Sequence, residues 1–211
     1  MLAFQALVAA FALVMLWRHG PRALAFAAPS LGRLRAGPPA PARSAAEQRA
    51  REALAELGFR DAATLEEAGP LGALRVRWAV LAGGDTYADV DARGAIRFVS
   101  PCAGGPALVT ATWRRPPISG RGGRVAGLPG ATPQGALAAH RAGLAAFAAE
   151  NGAPSAPPDP ASRLEAARRW ARTLGRRERR LATALNFVNA LIALALLASA
   201  VKALLPALRF S

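Results

Sequence analysis

The two ends of the chain are hydrophobic, and this constrains the fold more than any other feature of the sequence. Residues 181–201 form an uncharged run of 21 residues between Arg180 and Lys202, and about 20 apolar residues are needed to cross the hydrocarbon core of a bilayer. Residues 1–17 form a shorter run, which at about 1.5 Å per residue reaches roughly 25 Å and spans only where the bilayer thins locally. The sequence therefore predicts a transmembrane helix at each end, over 1–17 and over 181–205.

The first hydrophobic segment has two competing interpretations. A cleaved signal peptide carries positive charge before its apolar run, whereas Arg18 and His19 follow the run here, which favours an uncleaved anchor. The stretch ALAFAAP at 23–29 resembles the junction between signal and transit peptides in algae with secondary plastids, and residues 1–46 contain no acid. Cleavage after Ala25 would leave a plastid-targeted protein with a single span.

The positive charge of the chain lies beside these hydrophobic segments. Of the net charge of +14, residues 1–60 carry eight Arg against three Glu, and residues 161–211 carry ten basic residues against two Glu, while the middle of the chain is almost neutral. A nucleic-acid-binding domain would carry its positive charge on the folded region, so this distribution predicts no nucleic-acid partner. Arg beside an apolar span suits anionic headgroups, and membrane lipids are therefore the predicted partner.

The candidate lipid-binding site is a group of seven Arg residues just before the second span. In the segment that contains them, Leu164, Ala167, Trp170 and Leu174 recur at helical spacing. A helix with one apolar stripe and Arg on its other faces is typical of a helix that lies in the membrane interface. The predicted lipid-binding residues are Arg168, Arg169, Arg172, Arg176, Arg177, Arg179 and Arg180.

The same Arg distribution predicts the orientation of the chain in the membrane. Loops rich in Lys and Arg remain on the cytoplasmic side of a bilayer. Arg18 and Arg22 follow the first span, and the Arg-rich stretch at 168–180 precedes the second. Both flanks therefore place residues 18–180 in the cytoplasm, with the two termini outside.

Polar side chains within the spans are candidates for helix–helix contacts. Asn186 and Asn189 are three residues apart and share one face of the second span. If the spans run antiparallel, Gln5 and Ser199 lie at similar depth and can satisfy one another, whereas the first span offers no polar side chain at the depth of the two Asn residues. The partners predicted for the Asn side chains are interfacial water, a second copy of the chain or a different protein.

The region between the spans predicts one small domain held between two tethers. Residues 18–43 form a basic and proline-rich tether, and residues 153–180 combine a second proline-rich tether with the basic helix described above. The domain itself is predicted over 44–152.

Helix and strand signals alternate within this domain. Ser44 and Glu47 form a capping box for one helix, and Thr132-Pro133 begins another that ends near Asn151. Between them, Leu74, Val76, Trp78 and Val80 alternate with other residues, which indicates a half-buried strand. Three further strands are predicted over 86–90, 95–99 and 107–113. Because short turns separate the strands, the predicted fold class is α+β: a small antiparallel four-stranded meander with flanking helices, between N- and C-terminal transmembrane helices.

Residues with catalytic or metal-binding chemistry do not cluster in this sequence. His140 is the only histidine of the central region and Cys102 the only cysteine of the chain, so a site of several histidines, a serine triad and a disulfide lack their parts. The stretch at 89–96 resembles a calcium loop, but Arg93 and Ser100 occupy two of the ligand positions, which favours a hairpin turn. The sequence therefore predicts no catalytic residue, no metal and no cofactor.

Three short motifs resemble uncharacterised membrane-anchored proteins of high-GC bacteria. They are Leu57-Gly58-Phe59, the run LVTATW at 108–113, and His140-Arg141 followed by Leu144. The resemblance covers roughly residues 55–150, brings no assigned activity, and implies a location in the bacterial inner membrane. The expected function is a membrane-anchored, non-catalytic interaction module or accessory subunit of a membrane protein complex, and an enzyme of unknown type is the alternative.

Overall fold

A computed structural model describes residues 2–28, 33–69, 75–115, 117–120 and 122–208. Within these residues the chain forms five helices and one eight-stranded sheet, which confirms the predicted α+β class. The helices are α1 (Leu2–Ala27), α2 (Ala45–Glu56), α3 (Pro133–Asn151), α4 (Pro160–Arg172) and α5 (Leu174–Leu208). The strands are β1 (Arg33–Gly37), β2 (Arg60–Ala68), β3 (Val76–Gly83), β4 (Thr86–Val90), β5 (Ile96–Pro101), β6 (Ala107–Ala111), β7 (Ile118–Gly120) and β8 (Gly123–Gly127).

The chain divides into two compact units. The helical unit consists of Met1–Gly32, Gly69–Leu74 and Glu178–Ser211, and it contains α1 and most of α5. The sheet unit consists of Arg33–Ala68 and Arg75–Arg177, and it contains all eight strands with α2, α3 and α4.

The sheet has the strand order β1-β2-β3-β4-β5-β6-β8-β7. Neighbouring strands are antiparallel except for β6 and β8, which pair in parallel because the β7–β8 hairpin folds back beside β6. The four strands predicted from the sequence correspond to β3–β6, but the predicted four-stranded meander is wrong because four further strands extend it on both sides. One of them, β1, lies inside the segment predicted as the first tether, and β7 and β8 lie between the last predicted strand and the helix predicted from Thr132-Pro133.

Alternation along the strands sends side chains to two buried faces. On β3, Trp78 and Val80 belong to the core beneath α4, whereas Ala79 and Leu81 belong to the core beneath α2 and α3. Helices on both faces explain why β4, β5 and β6 are almost completely buried, as expected for the centre of a three-layer arrangement.

The two predicted helix starts in the sheet unit are confirmed. The Ser44 hydroxyl accepts the backbone N–H of Glu47 at 3.0 Å, and the Thr132 hydroxyl accepts that of Gly135 at 3.1 Å. The carboxylate of Glu47 accepts the backbone N–H of Arg43 at 3.3 Å, one residue before the position expected in a capping box.

Helix α4 is a layer of the sheet unit, so the interpretation of its apolar stripe as a membrane-interface surface is wrong. Ala167 of α4 and Leu174 at the start of α5 are buried in the core on one face of the sheet, and Leu164 and Trp170 of α4 pack against that core. The sheet supplies the apolar surface that the stripe covers, with Leu34 of β1, Leu65 of β2 and Trp78 of β3 in the same core. The same periodicity that suits a bilayer surface suits a protein core equally well.

Helices α1 and α5 are long and apolar enough to span a membrane. Only 6% of the most apolar window of α1 and 17% of that of α5 are buried, whereas the core helix of a soluble protein is mostly buried. Helix α1 continues ten residues beyond the end predicted at Trp17, because the helix passes through Pro21 and ends at Ala27.

Candidate functional site

The charged centre of the sheet unit is Asp89 on β4, whose side chain is completely enclosed. Two Arg residues bind it. Arg97 donates to Asp89 Oδ2 from Nε at 2.9 Å and from Nη2 at 2.7 Å, and Arg163 donates to Asp89 Oδ1 from Nε at 3.1 Å. These are charge-assisted contacts, which are the strong class of hydrogen bond.

Glu67 completes the cluster and balances its charge. Arg97 Nη2 donates to Glu67 Oε1 at 2.8 Å, so two carboxylates face two guanidinium groups. Burial alone raises the pKa of Asp89, but the charges of Arg163 and Arg97 outweigh it and hold that pKa below its ordinary value. The pKa of Glu67 is lowered in the same way: burial opposes the shift and the charge of Arg97 outweighs it. We refer to Glu67, Asp89, Arg97 and Arg163 as the ion cluster.

Aromatic side chains of the same core cover the guanidinium groups of the ion cluster. The Arg97 guanidinium carbon lies 4.3 Å from the ring centroid of Trp78, and that of Arg163 lies 5.4 Å from Tyr87. The Tyr87 hydroxyl donates to the carbonyl of Pro157 at 2.8 Å, just before α4. The cluster therefore fastens α4 to the sheet, and its paired charges favour a structural role over proton transfer.

Local sequence explains how these groups meet. Asp89 and Arg97 are directly paired across the β4–β5 hairpin, whose turn is held by Asp91. The Asp91 carboxylate accepts the backbone N–H groups of Arg93 and Ala95, each at 2.9 Å. The segment that resembles a calcium loop is thus a hairpin turn, and its first carboxylate points into the ion cluster.

A second buried polar chain lies on the opposite face of the sheet, around His140 of α3. His140 and Ser100 are both 0% exposed. His140 Nδ1 lies 2.9 Å from the Thr110 hydroxyl, and Nε2 lies 3.0 Å from the Ser100 hydroxyl. The chain continues from Ser100 to Thr86 at 2.7 Å, and Thr86 donates to Asp85 Oδ1 at 2.9 Å.

The direction of these hydrogen bonds argues against a nucleophilic serine. Because the single hydroxyl proton of Thr86 goes to Asp85, Ser100 donates to Thr86 and must accept from His140 Nε2–H. A serine nucleophile needs the reverse arrangement, in which its hydroxyl donates to the histidine. The enclosed Ser100 also presents no surface to a substrate, so this chain joins α3 to the sheet.

The buried histidine predicts a pH dependence of stability. Burial lowers the pKa of His140 from 6.5 to about 4, so the unfolded chain binds a proton more readily than the folded chain between these values. The free energy of unfolding is therefore highest, as far as His140 is concerned, above pH 6.5. It decreases as the pH falls, by about 2 kcal/mol between pH 7 and pH 5. Urea unfolding of the full chain in detergent at several pH values measures this loss. A His140→Gln variant should lose the slope in this range, and an unchanged slope would contradict the assignment.

The remaining candidates in the sheet unit do not come together. Cys102 is buried, and burial followed by the negative charge of Asp85 raises the pKa of its thiol, which is unlike an activated nucleophile. In the part of the chain that the structure describes, no group of three or more His, Cys, Asp or Glu residues could hold a metal ion.

The helical unit contains a polar contact between α1 and α5. His19 Nδ1 donates to Asn186 Oδ1 at 2.9 Å, and the rings of Phe26 and Phe187 stack with centroids 4.5 Å apart. The expectation that the first span offers Asn186 no polar partner is corrected, because α1 extends past Trp17 and brings His19 into the helix pair.

The other predicted contact residues of the spans lie elsewhere. Ser199 is exposed and Gln5 is half-buried, and within the described residues no hydrogen bond joins them. The side chain of Asn189 is half-buried. Ala residues instead bring the helices together, as is common in membranes. The fully buried ones are Ala12 and Ala25 on α1 and Ala193 and Ala200 on α5.

The seven Arg residues of the candidate lipid-binding site are mainly at the surface. On α4, the exposed Arg168, Arg169 and Arg172 lie opposite the buried Ala167. At the start of α5, Arg176, Arg177 and Arg180 are exposed, and Arg179 is half-buried. Sequence reasoning did not find the ion cluster, although facing opposite charges in the β4–β5 hairpin were a signal for Asp89 and Arg97.

Comparison with protein-family models, with curated proteins and with solved structures finds no match for this chain.

Proposed function

We propose that this protein is a membrane-anchored, non-catalytic interaction module that serves as an accessory subunit of a membrane protein complex. The supporting observation is the exposure of large apolar side chains along both terminal helices. Phe4, Leu7 and Trp17 on α1 are 65%, 68% and 85% exposed, and Leu185 on α5 is 72% exposed. Such a surface is unfavourable in water and suits a lipid environment or a partner helix.

The sheet unit supports a binding role over catalysis. Asp89 and His140 are enclosed, Glu67 is half-buried, and all three form hydrogen bonds with neighbouring side chains. Groups of this kind hold layers together and fix a unique packing, whereas an active site presents such groups to a substrate. In the proposed arrangement, the sheet unit lies in the cytoplasm of a bacterial cell and the helical unit anchors it in the inner membrane.

The direct test of this function is purification of the tagged chain from its native membrane in a mild detergent. We expect a specific membrane protein to co-purify in stoichiometric amounts, and quantitative mass spectrometry identifies it. A variant in which α1 and residues 181–205 of α5 are replaced by the spans of an unrelated membrane protein tests which unit holds the partner. Recovery of the chain without any other protein would contradict the accessory-subunit proposal.

We also predict that the Arg residues at the start of α5 bind anionic lipid. Each Arg near an anionic surface contributes about 1 kcal/mol to binding. Replacing Arg176, Arg177 and Arg180 with Gln should therefore lower the affinity for anionic lipid, and the remaining affinity should depend less on salt concentration. Titration of anionic lipid into neutral micelles, followed by the rise in melting temperature, measures the affinity. The matched control replaces three exposed Arg residues on α2, β8 and α3 with Gln: Arg49, Arg124 and Arg141. An equal loss of affinity for anionic lipid in both variants would show that the net charge of the chain alone is responsible for the binding.

A further inference from the structure

Helix α5 carries two parallel stripes of residues with heptad spacing, and the first faces α1. This inner stripe contains four buried residues, and its Asn186 binds His19. The residues of the inner stripe are Thr183, Asn186, Ala190, Ala193, Leu197 and Ala200. Alternating steps of three and four residues keep a stripe on one side of a helix, as in helices that pack along their length.

The second stripe lies beside the first; Asn189 and Leu196 on it are half-buried, and its other residues are exposed. Leu185 and Ile192 are 72% and 51% exposed, and Ser199 is also exposed. The residues of this outer stripe are Ala182, Leu185, Asn189, Ile192, Leu196 and Ser199, again with alternating steps of three and four. Within the described residues, the amide of Asn189 makes no side-chain hydrogen bond.

The position of Asn189 sets the kind of partner that can satisfy it. Asn189 lies eight residues beyond Leu181, where the uncharged run begins, and a rise of about 1.5 Å per residue places it about 12 Å into the span. An amide at this depth needs a partner with both a donor and an acceptor. A second copy inserted in the same orientation carries its own Asn189 at the same depth, and a primary amide is complementary to itself.

We propose that two copies of the chain form a parallel dimer through the outer stripe of α5, with the Asn189 amides paired across the two-fold axis. Leu185 and Ile192 flank the amide pair and supply the packing surface, while one polar residue in an apolar stripe fixes the register and the number of chains. The proposal deepens the proposed function and rests on the insertion of α5 into the membrane.

The first test compares two Asn variants of the full chain in detergent. Energy transfer between donor- and acceptor-labelled chains, measured on dilution, gives the dimer dissociation constant. Asn189→Leu should raise this constant by about 3- to 30-fold, which corresponds to one interhelical hydrogen bond. Asn186→Leu is the matched control: its amide is on the inner stripe, so the constant should remain unchanged. Equal effects of the two substitutions, or no effect of Asn189→Leu, would overturn the proposal.

The second test locates the interface in native membranes by oxidative cross-linking in a Cys102→Ser background. Leu185→Cys, Ile192→Cys and Ser199→Cys should each form a symmetric cross-link. Leu191→Cys and Leu194→Cys should not: these positions are as exposed as Ile192 but lie on another side of α5. Cross-links of similar yield at all five positions would overturn the proposal, as would cross-linking from the outer stripe to a different protein only. In the latter case the chain remains membrane-integral and bound to a partner, so the proposed function survives; a chain that alkaline carbonate extracts from membranes would contradict both.

Discussion

Replacing Asp89 with alanine is expected to lower the free energy of unfolding by about 3–5 kcal/mol, the usual cost of removing one partner from a buried charge pair. Asp89 is the only carboxylate of the described residues that binds both Arg97 and Arg163. Without it, Glu67 is the only carboxylate left to the ion cluster, and Arg163 of α4 loses the carboxylate that binds it to the sheet. Urea unfolding of the full chain in detergent, followed by tryptophan fluorescence, measures the change, since Trp78 and Trp170 report on this core.

Glu66 provides the matched control for this substitution. It precedes Glu67 on β2 but points to the surface, where it pairs with Arg75 at 3.4 Å and both side chains are substantially exposed. Surface ion pairs contribute about 0–1 kcal/mol, so Glu66→Ala should have a small effect. Similar losses for Asp89→Ala and Glu66→Ala would show that the ion cluster does not hold α4 to the sheet.

Replacing Gly123 with alanine is expected to destabilise the sheet unit by about 2–5 kcal/mol, from left-handed backbone strain and overpacking together. Gly123 begins β8 with φ of +138°, a backbone conformation that residues other than glycine rarely adopt. A Cβ atom there would overlap the carbonyl oxygen of Ala107, its paired residue on β6. The parallel β6–β8 pairing must therefore separate or shift, and the β7–β8 hairpin with it.

The contrasting variant is Gly143→Ala in α3. Its Cβ atom would meet nothing closer than Leu108 Cδ2 at 3.7 Å, and alanine in a helix interior is about 0.5–1 kcal/mol more favourable than glycine. We expect Gly143→Ala to raise the melting temperature and Gly123→Ala to lower it. A Gly123→Ala variant as stable as the wild type would contradict the described pairing of β8 with β6.

The elements predicted correctly from the sequence are those with local signals. The caps at Ser44 and Thr132 fix the starts of α2 and α3, and alternation with short turns identifies the central strands. The β2 segment RDAATLEEA has only a short alternating pattern of Ala63, Leu65 and Glu67, and its composition suits a helix as well as a strand. Pairing with β3 decides in favour of the strand, and that contact is not visible in the sequence of β2 itself.

The site residues that sequence analysis missed depend on contacts between distant segments. Asp89 and Arg97 could have been paired from their equal distances to the β4–β5 turn. Arg163 lies 74 residues from Asp89, and its sequence neighbourhood resembles that of the surface Arg residues that follow it. The partner of Asn186 was missed because the first span was ended at Trp17, before Arg18 and His19, whereas α1 continues past them.

Labelling of single cysteines in intact cells tests most directly the claim that both terminal helices span the membrane with the sheet unit in the cytoplasm. In a Cys102→Ser background, Ser155→Cys places a thiol at an exposed position between α3 and α4, and Ser211→Cys places one beyond the second span. An impermeant maleimide added outside should label Ser211→Cys at once and Ser155→Cys only after the membrane is permeabilised. Labelling of Ser155→Cys in intact cells, or equal labelling of both variants, would contradict this arrangement.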